Sequence, residues 1–148
     1  MFWAAFSGAT RRTGLIPLFR NPEGTSRGID ATVIRDLYLR VLPTLFFNRD
    51  GIFQQDNAST HTARIVRQAL DVLGIELMEW PAKSPDLNPI ENLWTLLKDK
   101  IYKICRELKT MPNNDTTHAI LIEKAQEAWD GIQNISFRKL RASYIRQF

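Results

Sequence analysis

Two short stretches, Ile52-Phe53-Gln54-Gln55-Asp56 and Ile75-Glu76-Leu77-Met78-Glu79-Trp80, bracket a helical segment and together decide the fold. The first reads as a short strand that runs straight into Asp56. The second alternates apolar with acidic residues, as a strand with one exposed face does. Between them Ile65, Val66, Ala69, Leu70 and Leu73 recur at helical spacing, and Gly74 stands where a helix stops. Strand, helix and strand in succession call for parallel strands joined by a right-handed crossover. The fold class is therefore α/β, in layers.

Working outward, Phe2 to Phe6 is nearly all apolar and reads as a buried strand. Gly8 to Gly14, with Arg11 and Arg12 exposed in it, reads as a hairpin turn. Leu15 to Phe19 reads as the returning strand, at an edge because of Pro17. Asn21 to Gly28 is rich in turn formers. Asp30 caps a helix marked by Val33, Ile34, Leu37, Tyr38, Val41 and Leu42, which Pro43 ends or bends. After Trp80 comes a proline-rich loop, then a long helix from about Pro89 to Leu108. A polar break over Met111 to Thr117, a helix around Ala119 to Trp129 and another from Ser136 complete the order.

Composition narrows the class. A chain of 148 residues, 44% hydrophobic and 24% charged, has enough apolar mass for one core, so disordered and fibrous classes are excluded. No apolar run reaches the length of a membrane span, and no membrane role is expected. One cysteine, Cys105, rules out an internal disulfide and a cysteine zinc site, which suits an intracellular compartment. The balance of 20 Lys and Arg against 16 Asp and Glu leaves a net charge of +4, which suits a polyanion such as DNA.

Two carboxylates stand out by position. Ligands of an open α/β sheet sit beyond the carboxyl ends of its strands. Asp56 lies at one such end. The loop after Trp80 leads to Asn88-Pro89-Ile90-Glu91, the first turn of the long helix, and aims Glu91 back toward the same edge. Two carboxylates on one rim suit Mg²⁺, which binds a few carboxylate oxygens and keeps water or phosphate in its other positions. Capping accounts for both residues too. Asp56 fits the cap of the helix after it, and Asn88, Pro89 and Glu91 fit N-cap, N1 and N3 of a capping box. By spacing alone, capping is the commoner role.

The surrounding strings change that order. Phe53-Gln54-Gln55-Asp56-Asn57-Ala58-Ser59-Thr60-His61-Thr62-Ala63 resembles the segment around the second catalytic Asp of Tc1/mariner transposases. The stretch from Trp80 to Trp94, containing Ser84-Pro85-Asp86-Leu87-Asn88-Pro89-Ile90-Glu91-Asn92, resembles the segment carrying their third carboxylate. Positions 57 to 90 make 34 intervening residues, the spacing of the family's DD34E branch. Phe2 to Gly8 resembles an upstream strand of the family. Ala128-Trp129 with Leu140 and Ser143 resembles a late helical segment.

The resemblance implies an RNase H-like mixed sheet flanked by helices. It places the core at about residues 1–108 and the C-terminal helices at about 118–148. It implies a metal-dependent DNA transposase, with Asp56 and Glu91 as catalytic ligands of Mg²⁺ or Mn²⁺. It also implies DNA as partner, at transposon ends and target, together with a second copy or a transposase partner, and a place in the nucleus. His61, Asn57, Asn88 and Asn92 fall on motif positions. His61 is expected near the DNA backbone or orienting Asp56, with ordinary local hydrogen bonding as the plain alternative. Trp80 and Trp94 are expected to pack.

The family's first catalytic Asp lies on a strand upstream of the segment that begins here at Met1, and Asp30, Asp36 and Asp50 all come too late to replace it. The expectation is a partial catalytic domain without its first central strand, inactive alone and marginal in stability. A competing reading is a non-catalytic, host-retained protein that binds DNA or a transposase. Lys98, Lys100, Lys103, Arg106 and Lys109 favour it, although such a run is usually a solvated face.

Overall fold

The computed structural model describes residues 1–7, 11–25, 28–46, 51–78, 88–134 and 136–137. The chain forms two compact units. One comprises Met1 and Leu18–Asn88, the other Phe2–Pro17 and the chain from Pro89 onward.

In the first unit, α1 (Ala31–Leu45) starts where Asp30 Oδ1 accepts the amide of Val33 at 3.0 Å. That bond satisfies one of the orphan donors of the first turn and holds the Asp30 carboxyl below its ordinary pKa. Ile34, Leu37, Tyr38 and Leu42 form the buried face. Pro43 does not stop α1 at once. It sits in the last turn, where the one hydrogen bond it removes costs little, and the helix closes two residues later.

The strands β5 (Ile52–Phe53) and β6 (Glu76–Leu77) pair in parallel, as their sequence requires, with Phe53 opposite Leu77. The amide of Met78 extends the ladder by donating to the Phe53 carbonyl at 2.8 Å. Glu79 and Trp80 lie outside the described residues. The connection runs through α2 (Ser59–Thr62) and α3 (Arg64–Leu73). Gly74 ends α3 with φ +64°, a left-handed conformation that only glycine adopts freely, and Ile75 donates back to the Leu70 carbonyl at 3.0 Å. Val66, Ala69 and Leu70 of α3 are buried with Phe53, Ile75 and the apolar face of α1.

The second unit contains the hairpin and the later helices. Here β1 (Phe2–Trp3) pairs with β4 (Ile16–Pro17), and β2 (Phe6–Ser7) with β3 (Arg11–Arg12), both antiparallel. Arg11 and Arg12 are therefore strand residues and not part of a turn. Between the two pairings, Ala4 and Ala5 face Thr13, Gly14 and Leu15, so the returning strand holds one extra residue and forms a bulge. Thr13 repairs the ladder there, its Oγ1 accepting the Ala5 amide at 2.9 Å while its own amide donates to the Ala5 carbonyl at 2.9 Å.

The helix α4 (Pro89–Ile104) is shorter than expected, because Cys105 is extended and Arg106–Lys109 is a separate 3-10 turn. In contrast α5 (Asp115–Asp130) begins earlier, inside the supposed polar break. Asn114 is its cap and accepts the Thr117 amide at 2.9 Å. Leu93, Leu97 and Ile101 of α4 join Ala125, Ala128 and Trp129 of α5, Ile132, Phe137, Ala4 and Leu15 in one core. Arg12 is not an exposed turn residue. It donates to the Ile132 carbonyl at 2.9 Å and lies 4.8 Å over the Phe137 ring.

Candidate active site

Three residues beyond β5, the chain turns at Asp56. Its Oδ1 accepts the Ala58 amide at 3.1 Å, closing the tight turn that opens α2. The same oxygen accepts a hydrogen bond from His61 Nδ1, one helical turn on. A carboxylate only accepts, so Nδ1 is the donor in this contact. Among the described residues nothing hydrogen-bonds Oδ2 of Asp56, whose side chain is 47% exposed. Asn57 beside it is exposed.

Behind this pair stands a residue that lies outside the motif strings. Tyr38, on α1 and fully buried, donates from its hydroxyl to Gln55 Oε1 at 2.6 Å. With its oxygen so engaged, Gln55 turns its Nε2 to the His61 carbonyl at 3.2 Å. The Tyr38 ring also lies roughly parallel to the His61 ring, with centroids 6.4 Å apart and planes inclined by 30°. On the other side Tyr38 meets Phe53 edge to face, at 5.3 Å between centroids.

The second predicted carboxylate belongs to the other unit. Glu91 is exposed in the first turn of α4, two residues after Pro89, and its carbonyl accepts the Thr95 hydroxyl at 3.2 Å. Asn92 is exposed, and Asn88, just before the helix, is only 6% exposed. Trp94 packs as expected, stacked on Trp129 at 6.0 Å. Trp80 and most of the proline-rich loop lie outside the described residues. The structure thus brings Asp56, His61 and Gln55 together within one unit and sets Glu91 at a helix start in the other.

Among the described residues no cluster of three or more His, Cys, Asp or Glu side chains forms a metal cage. The chemistry of Asp56 nonetheless fits one ligand of a hard divalent cation. Mg²⁺ takes one or two protein carboxylates and fills its remaining positions with water and phosphate oxygens. Asp56 offers one oxygen already fixed by two donors and a second with no described partner.

Residues 5–112 match the family model of the DDE superfamily endonucleases. The chain is 39% identical over 140 residues to the Tc3 transposase of Caenorhabditis elegans, covering 95% of this chain and 39% of that protein. It therefore spans well under half of that relative's length. Among solved structures, the catalytic domain of Mos1 mariner transposase superposes with a TM-score of 0.60 at 19% identity, covering 99% of this chain and 76% of that one. A Mos1 mariner paired end complex with Mn gives 0.57 at 18% identity, over 93% of this chain and 37% of that one. These likenesses establish the expected RNase H-like fold. With the family match over most of its length, the chain belongs to the Tc1/mariner type of DDE transposase, as a piece of the catalytic domain.

Proposed function

We propose that Asp56 and Glu91 are metal-ligating carboxylates of a transposase core that cuts transposon ends and joins them to target DNA. The observation that carries this reading is the state of Asp56. Its Oδ1 is held by Ala58 and His61 at the end of a parallel strand, and Oδ2 is left without a described partner. A carboxylate that served only as a helix cap would need no second donor from a histidine ring.

Mg²⁺ or Mn²⁺ at such a site supplies Lewis-acid stabilisation of the attacking and leaving oxygens in an in-line displacement at phosphorus. The residues of the chain do the holding. Asp56 would offer Oδ2 to the metal, His61 would keep that carboxylate from rotating, and Glu91 would serve as a further metal-ligating carboxylate. Neither carboxylate moves a proton in this scheme. DNA is the partner, and Lys98, Lys103, Arg106 and Lys109, all exposed, supply charge for its phosphates. Pairing with a second copy or another transposase, and residence in the nucleus, belong to the same proposal.

Mn²⁺ titration of the 148-residue chain, followed by electron paramagnetic resonance, tests it. Asp56→Asn and Glu91→Gln should each weaken binding by about tenfold or more, because each removes a charged ligand. Asp71→Asn, on the exposed side of α3, should leave it unchanged. Loss on Asp56→Asn with no effect of Glu91→Gln would remove Glu91 from the site. Binding that survives both substitutions would end the metal reading.

A further inference from the structure

We propose that Tyr38 is a positioning residue for this site, acting through Gln55 and the face of His61 to hold the Asp56 carboxylate in one orientation. The inference rests on the reading of Asp56 as a metal ligand. It starts, however, from a separate fact, the closed circuit that links α1 to the carboxylate.

Four contacts make the circuit. The Tyr38 hydroxyl fixes which end of the Gln55 amide points inward. The opposite end of that amide holds the His61 carbonyl and so the last turn of α2. The His61 ring then donates to Asp56 Oδ1. Tyr38 returns to the ring itself by lying against its face. Each link removes one rotation: the Gln55 amide flip, the α2 backbone, the His61 ring and the Asp56 carboxylate. A phenylalanine at position 38 would fill the same space and pack on Phe53 equally well. The hydroxyl is what extends the packing into polar alignment.

Burial sharpens the point. Tyr38 is 0% exposed, so its hydroxyl cannot turn to water, and the partner it uses is a motif residue next to Asp56. The side chain of His61 is 20% exposed, leaving its ring little choice of orientation once the Tyr38 face and the Asp56 oxygen are both engaged. Asp56 is thus presented from behind by a helix that contributes no ligand.

The test reads the tautomer of His61 by ¹⁵N nuclear magnetic resonance in the metal-free chain, at one neutral pH. The chain has two histidines, so His118→Gln serves as the background in which a single ring is observed. The expected starting state is the Nδ1–H tautomer. Tyr38→Phe and Gln55→Ala should each convert it to a mixture with the Nε2–H form. Each should also raise the Mn²⁺ Kd by about three- to tenfold, as loss of an aligning hydrogen bond does.

A purely structural Tyr38 would lower the melting temperature and leave the tautomer unmoved. An unchanged tautomer in both variants overturns the proposal even where Mn²⁺ binds and depends on Asp56. If the parent chain binds no Mn²⁺, the metal reading falls instead, and the tautomer still decides whether Tyr38 and Gln55 align His61. Gln55→Ala, at a half-buried site, keeps the test open should Tyr38→Phe unfold.

Discussion

Each unit of the molecule is built around one fully buried aromatic side chain with a polar end, Tyr38 in the first and Trp129 in the second. Both satisfy that end with a hydrogen bond, as burial demands. The partners differ in kind. Trp129 Nε1 donates to the Thr13 carbonyl at 3.0 Å, a backbone group that the hairpin bulge takes out of the ladder. Its ring stacks on Trp94 and meets Phe137 edge to face, both packed in the same core. The Tyr38 hydroxyl instead meets a side chain adjoining the candidate ligand. The polar end of a buried aromatic therefore shows what its surroundings serve: a backbone defect in one unit, a carboxylate in the other.

The harshest test of the contrast is Trp129→Ala. It empties the centre of a core shared by α4, α5 and the hairpin, and should cost about 3–5 kcal/mol of stability. Chemical denaturation measures that loss. A cost below about 1 kcal/mol would mean that the second unit is not organised around Trp129.

Trp129→Phe separates the polar end from the bulk. It leaves the Thr13 carbonyl without its indole donor and should cost about 1–3 kcal/mol, part of it cavity and part an unmet acceptor. Mn²⁺ affinity should change less than in Tyr38→Phe, since Trp129 has no described link to Asp56 and meets α4 at Trp94, one turn past Glu91. Tyr38→Phe is the matching change in the first unit. It should cost only about 0.5–1.5 kcal/mol, because the half-buried Gln55 can turn to water. The comparison holds if the smaller stability loss accompanies the larger change in metal affinity, and breaks if the two variants behave alike.

Much of this was legible in the residues, for reasons that also mark the limits. Helical spacing in α1 and α3, the Gly74 stop and the alternation at Ile75 to Leu77 are local signals, and the structure follows them. The bulge is different. A one-residue offset between Ala4-Ala5 and Thr13-Gly14-Leu15 leaves no mark on hydrophobic periodicity, so Arg12 read as an exposed turn residue. The start of α5 was missed despite a usable signal, because Asn114 with Asp115 looks like loop until the cap to Thr117 is considered. At the site, the motif marked Asp56 and left the role of His61 open, and the two side chains are joined by a hydrogen bond that spacing alone did not specify. Tyr38 escaped notice because its helical spacing accounts for it as core. Its hint was chemical, since a tyrosine on the innermost face of α1 requires a partner where a phenylalanine would not.

The smallest expected effect concerns the acid side of stability in the first unit. The Val33 amide, chiefly, holds the Asp30 carboxyl below its ordinary pKa of 3.8, with the Asn21 side chain assisting at 3.2 Å. A carboxyl whose pKa is depressed on folding stabilises the native state above its unfolded pKa, and that contribution disappears as pH falls through the folded value. The window therefore opens just below pH 4 and extends downward. Asp30→Asn keeps an oxygen able to cap α1 and removes the titration. Its denaturation midpoint should fall less steeply than the parent's below that pH, while the two proteins differ little at neutrality. Parallel pH profiles would show that the cap is already lost in the native state before the carboxyl protonates.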